Sequence, residues 1–135
     1  PELQLGTLDG RPVSLGSYAG RPIVLNLWAS WCPPCRREMP VFEEAQAKFP
    51  DVVVVLVNQG ESVQQARAFL ESNGLNLTDV LIDPASDAMR ATGSRGLPAT
   101  LFFDAQGRMV DSHLGEITLP SLTDKMLSHF GPFEN

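Results

Sequence analysis

What most constrains this chain is where its two cysteines fall, in the segment Trp31-Cys32-Pro33-Pro34-Cys35-Arg36. Ahead of them lies Ile23–Trp28, an apolar run of strand length. Behind them Met39, Phe42, Ala45 and Phe49 recur in steps of three and four, the spacing of one buried helix face. The pair therefore stands where a strand hands over to a helix. The first turn of a helix carries N–H groups without intrahelical partners and a partial positive charge, and both favour a thiolate. In a partly buried site that effect reaches about 2 kcal/mol, enough to bring a thiol pKa of about 8.5 close to neutrality. Two intervening residues let both sulfurs meet within one turn. Cys32 is expected to stay accessible, and Cys35 to face inward and resolve a mixed disulfide. Pro33 and Pro34 suit the first turn, where no intrahelical N–H bond is lost.

Composition removes several other classes. The chain has 135 residues, 43% of them hydrophobic, which suffices for one packed core, and a single domain over residues 1–135 is expected. Two cysteines are too few for a disulfide scaffold or a four-cysteine zinc site. A mixed zinc site would need both His113 and His129, which lack knuckle spacing. Copper suits two thiolates and one imidazole better, so a copper-delivery module using Cys32, Cys35 and His113 remains an alternative. Inert packing of two small side chains is another. No metal and no cofactor is assigned. The net charge of −6 argues against a general nucleic-acid binder. No run approaches the roughly 18 apolar residues of a membrane helix. Pro1-Glu2-Leu3-Gln4 has neither the basic end nor the apolar segment of a leader, and a chain opening on Pro is expected to be a processed form.

Further runs at 52–57, 80–82 and 100–103 are rich in Val, Ile, Leu and Phe without strict alternation, as in strands covered on both faces. Val63, Ala66 and Leu70 predict a helix stopping at Asn73-Gly74, and Leu119, Leu122, Met126 and Phe130 a last helix. Thr118 is its expected N-cap, with Pro120 tolerated in the first turn. Leu3, Leu5 and Leu8, the turn at Asp9-Gly10, and the stretch 13–15 read as a hairpin. Asp104-Ala105-Gln106-Gly107 separates a second antiparallel pair, 100–103 and Met109–Leu114. Strands alternating with helices, then a hairpin and a closing helix, predict an α/β fold with a central mixed sheet and helices on both faces. The methionines read as core filler.

The stretch from Leu25 to Pro40, with Asn26-Leu27-Trp28-Ala29-Ser30-Trp31-Cys32-Pro33-Pro34-Cys35-Arg36-Arg37-Glu38-Met39 between them, resembles the active-site segment of the TlpA/ResA-type thioredoxin-like proteins. These are bacterial, membrane-tethered thiol–disulfide oxidoreductases of the cell envelope. The opening hairpin, an inserted helix–strand unit from Glu61 to Asp83, and Gly96-Leu97-Pro98-Ala99-Thr100 resemble further parts of that family. The resemblance implies a thioredoxin-like fold and a redox-active Cys32–Cys35 pair, with Cys32 attacking and Cys35 resolving. It implies a cis bond before Pro98, and Leu97 and Pro98 as substrate-contacting residues. It further implies a periplasmic monomeric reductase, tethered through a segment absent from this chain and fed electrons by a membrane donor of the transmembrane disulfide reductase type. Its clients would be proteins with disulfides, such as apocytochrome c haem-attachment or metal-site thiols. The residue after Pro98 is Ala99 and not acidic, so cytochrome c is not assigned. A peroxiredoxin-like thiol peroxidase is the rival enzyme, and a disulfide isomerase would need a dimerisation segment.

Residues around the pair divide by chemistry. Asn26 occupies the place of the buried, proton-handling Asp of plain thioredoxin, a role an amide cannot take. Glu38 follows Cys35 by three residues, on the same helix face, and is the candidate to accept the resolving thiol's proton, its own pKa raised by burial. The alternative is a solvated Glu favoured by the helix dipole. Trp28 is expected in the core and Trp31 partly exposed beside Cys32, where it contacts substrate. Arg36, Arg37 and Arg95 read first as solvated charges, Arg36 also as a group that favours the thiolate.

Overall fold

The computed structural model describes residues 3–133. The expected domain of residues 1–135 therefore includes four positions, 1, 2, 134 and 135, outside the described residues. The strands are β1 (Gln4–Thr7), β2 (Pro12–Ser14), β3 (Ile23–Trp28), β4 (Val53–Gln59), β5 (Val80–Asp83), β6 (Ala99–Phe103) and β7 (Met109–Leu114). They form one seven-stranded sheet in the order β2-β1-β5-β4-β3-β6-β7. The helices are α1 (Pro33–Lys48), α2 (Val63–Ser72), α3 (Asp87–Thr92) and α4 (Leu119–Phe130).

The middle three strands, β5, β4 and β3, run parallel, while β1 and β6 flank them antiparallel. Apart from Ile23, every residue of β3 and β4 is buried, which is why their sequences run apolar without alternation. One face of the sheet packs Val24, Trp28, Val54 and Leu56 against Met39 and Phe42 of α1, Ala66 and Phe69 of α2, and Leu122 and Met126 of α4. The other face packs Leu25, Leu27, Val55 and Val57 against Leu5 and, from α3, Ala88. Helices thus cover both faces of a mixed sheet, the thioredoxin-like arrangement that the sequence resemblance implies.

Local chemistry sets the helix ends. Ser62 and Gln65 form a reciprocal capping box at the start of α2, with Gln65 N donating to Ser62 Oγ at 3.1 Å and Ser62 N to Gln65 Oε1 at 2.8 Å. Ser62→Ala is expected to cost about 1 kcal/mol in urea unfolding, since Ser62 is exposed and loses little else. Thr118 caps α4 as expected, and Pro120 sits in the first turn. Asp111 of β7 accepts from Lys125 at 2.8 Å and lies 3.0 Å from His129 Nε2, pinning α4 to the edge strand. The hydrogen bond from Lys125 leads in holding its carboxyl down at about 2.

Two local expectations differ from what forms, and one element went unread. Leu15 begins a 3-10 turn, Leu15–Tyr18, where the hairpin was expected to continue. The short α3 carries no periodic signal in the sequence. Met109, expected in the core, is 45% exposed on β7, whereas Met39 and Met126 are fully buried.

Candidate active site

Because β3, β4 and β5 are parallel neighbours, their C-terminal ends lie along one edge of the sheet. The antiparallel β6 begins at that same edge, with Ala99 opposite Leu27. Four connections therefore meet there: 29–32, 60–62, 84–86 and the Leu97-Pro98 segment. Crevices at the carboxyl ends of parallel strands are the usual ligand sites of α/β sheets.

Cys32 and Cys35 are joined by a disulfide, with Cα atoms 5.2 Å apart. Cys32 is the N-cap of α1, and its Sγ accepts from Cys35 N at 3.4 Å. Cys32 is 4% exposed and Cys35 0%, so the expectation of an accessible Cys32 holds only as an ordering of the two. Trp31 is instead the open residue, 68% exposed, while Trp28 is fully buried with its ring 5.5 Å from that of Phe69. Trp31, Gly96, Leu97, Met89, Gln59 and Ser86 line a cleft of about 340 Å³. The Leu97–Pro98 bond is cis. The Pro98 carbonyl accepts from Gly115 N at 2.8 Å, tying this segment to the β7–α4 loop.

Beneath the disulfide, Glu38 is completely buried, which removes the alternative of a solvated first-turn carboxylate. Asn26 Nδ2 donates to Glu38 Oε1 at 2.7 Å, and Ile117 N donates to Oε2 at 3.1 Å. Asn26 Nδ2 also reaches Thr100 Oγ1 at 3.2 Å. Burial pushes the Glu38 carboxyl up to about 7, against the pull of the bonds from Ile117 and Asn26. Cys35 and Glu38 share the buried face of α1. A carboxyl titrating near neutrality is suited to exchange a proton with a thiol.

The arginines lie elsewhere. Arg36 rests over the Phe69 ring, 5.6 Å from its centroid, and Arg37 pairs with Glu116 at 2.9 Å. Arg95 and His113 line a separate hollow of about 220 Å³ against β7. His113 Nε2 lies 3.0 Å from the Glu116 carbonyl oxygen. Among the described residues, no group of three or more His, Cys, Asp or Glu side chains is placed to hold a metal ion. The trio Cys32, Cys35 and His113 of the copper alternative is thus not brought together.

One polar group at this edge went unread in the sequence. Glu61 is 6% exposed, and its carboxylate accepts from Ser30 N, Ser30 Oγ and Asn58 Nδ2. The available signal was Asn58-Gln59-Gly60-Glu61, a polar stretch closing an otherwise apolar strand.

A model of the AhpC/TSA family matches residues 1–112. The chain is 35% identical over 131 residues to the thioredoxin-like protein YneN of Bacillus subtilis (strain 168), covering 93% of this chain and 75% of that protein. It is 30% identical over 128 residues to the thiol-disulfide oxidoreductase ResA of Halalkalibacterium halodurans, covering 93% and 69%. Of solved structures, a putative thiol:disulfide interchange protein DsbE from Chlorobium tepidum superposes with a TM-score of 0.86 at 29% identity, covering 97% of this chain and 94% of that one. The exposed lipoprotein thioredoxin of Streptococcus pneumoniae strain TIGR4 gives 0.79 at 27% identity, covering 95% and 99%.

Proposed function

The chain belongs to the AhpC/TSA family and is a protein disulfide oxidoreductase of the TlpA/ResA thioredoxin-like type, and from that premise we propose that it reduces disulfides of client proteins outside the cytoplasm. The observation that carries the reading is a Cys32–Cys35 disulfide at a helix start, with a buried carboxyl near neutral pKa on the face of Cys35.

The cycle balances within the dithiol. The Cys32 thiolate attacks one sulfur of a client disulfide, and the other client sulfur leaves as a thiolate that takes up a proton. Cys35 then gives its proton to the Glu38 carboxylate and attacks Cys32 Sγ, releasing the second client sulfur as a thiolate that takes up a proton from water. Two electrons pass to the client, and the Cys32–Cys35 disulfide remains. A membrane donor of the transmembrane disulfide reductase type returns two electrons, and Cys35 recovers its proton from Glu38. Trp31, Leu97 and Pro98 receive the client segment at the cleft, while Asn26 holds Glu38 and Trp28 packs beneath the site.

Similarity to an exposed lipoprotein thioredoxin supports a membrane-tethered form in the cell envelope. Among the described residues no helix is long and apolar enough to cross a membrane. Haem-attachment or metal-site thiols are the client chemistries that the family resemblance suggests, and a monomer suffices for the cycle.

Reduced protein mixed with a disulfide-containing reporter protein is expected to consume the reporter's disulfides one for one, and Cys32→Ser to consume none. Alkylation of free thiols in intact cells then reads the direction. A chain found mainly as the dithiol supports reductase work, and one found mainly as the disulfide overturns it.

A further inference from the structure

Resting on the exchange activity proposed above, we infer that Glu61 is a positioning residue, one that holds the turn carrying Trp31 and Cys32 in its reactive pose. Residues Ala29 to Cys32 form a tight turn, closed by Cys32 N donating to Ala29 O at 3.3 Å. Ser30 and Trp31 are its two central residues. The N–H of Ser30 donates to Glu61 Oε1 at 2.7 Å, and the Ser30 hydroxyl to Oε2 at 2.6 Å. Asn58 Nδ2 donates to Oε1 at 2.9 Å, holding the carboxylate from the strand side. The clamp is nearly closed to water, since Glu61 is 6% exposed and Asn58 fully buried.

Burying a carboxylate is unfavourable unless donors replace its water, so three donors converging on it mark a specified geometry and not a surface contact. The backbone explains how it arrives there. Gly60 takes a positive φ of 74°, turning the chain sharply out of β4 so that Glu61 lies beside the neighbouring strand's loop. Gly60 N also donates to the Asp83 carbonyl at 3.0 Å, anchoring that turn on β5. The turn at 29–32 runs on into β3 and α1 at its ends, with Ala29 and Cys32 seated in the core. Glu61 is its lateral support, and displacing a reacting atom by even about 1 Å is costly to a rate.

The test measures, on reduced protein, the rate of exchange with a disulfide-containing reporter protein per folded molecule, alongside thermal unfolding. Glu61→Ala is expected to slow exchange by about tenfold or more. Glu61→Gln is expected to restore it to within about threefold, because the amide oxygen accepts from Ser30 N and Asn58 while the amide nitrogen donates to Ser30 Oγ. A folded Glu61→Ala exchanging at the wild-type rate overturns the inference and leaves the exchange reading standing. A slow Glu61→Gln as folded as wild type also overturns it, since position would then not be what the carboxylate supplies. A wild-type chain that does not exchange overturns the reading beneath both. Should Glu61→Ala fail to fold, Ser30→Ala decides: removing one clamp bond is expected to slow exchange about threefold, and an unchanged rate overturns the assignment.

Discussion

Cys35→Ala is expected to turn the catalyst into a trap: a single attack by Cys32, then a mixed disulfide that persists for hours. With two cysteines in the chain, Cys35→Ala leaves this chain no second thiol to resolve it. Uncatalysed disulfide rearrangement takes minutes to hours. Multiple-turnover reduction of a reporter protein should therefore fall by about a thousandfold or more, while the first bond still forms. Non-reducing electrophoresis would show a covalent adduct that collapses when dithiothreitol is added. Cys32→Ser is expected to give no adduct under the same conditions. The opposite pattern, adducts through Cys35 and none through Cys32, would reverse the two roles. The 4% exposure of Cys32 against 0% for Cys35 favours the order as written. Used in cells, the trap also reveals the client by mass spectrometry of the adduct.

Glu38→Gln has the second large effect, and it appears in two measurements. The folded carboxyl is pushed up to about 7 from an unfolded value near 4.5. Between those pH values the folded protein retains a proton that the unfolded chain has lost. Stability is thus highest below about 4.5, declines as pH rises through the window and levels off above about 7. A shift of that size corresponds to roughly 3 kcal/mol. Urea unfolding of the disulfide form at pH 4.5 and 8 should show the decline in wild type, and a nearly flat line in Glu38→Gln once the other carboxylates, common to both, are subtracted. Equal slopes in the two proteins would sink the assignment of the carboxyl. The second measurement is kinetic. If Glu38 takes the proton of Cys35, resolution of a preformed mixed disulfide should slow by about a hundredfold in Glu38→Gln near neutrality. Ile117 N and Asn26 Nδ2 both donate to this side chain, so part of any loss is positional. Only the disappearance of a pH dependence centred near 7 assigns the proton role.

The parts of the fold legible in advance were those whose signal is local and repeated. β3 and β4 announce themselves as apolar runs because both of their faces are covered, and α1 because its buried positions follow the helical period. The six-residue α3 is too short for any period to emerge. Its start is held by the Asp83 carboxylate at the end of β5, which accepts from Asp87 N and Ala88 N, a contact that leaves no periodic signature. The same contrast divides the site. Cys32, Cys35 and Glu38 lie within the first two turns of a single helix, its N-cap included, so their spacing is itself the geometry. Glu61 is 31 residues from Ser30, and only the parallel pairing of β3 with β4 brings them together. The exposure of Met109 was hidden for a related reason, since nothing in its own neighbourhood says that β7 is an edge.

The near-closure around Cys32 limits which partners the protein can meet. With the disulfide closed Cys32 is 4% exposed, so a partner sulfur meets it from a narrow range of directions. Only a disulfide carried on a protruding, uncoiled stretch of chain can be brought into line with it. Bonds already locked inside a finished globule are sterically out of reach.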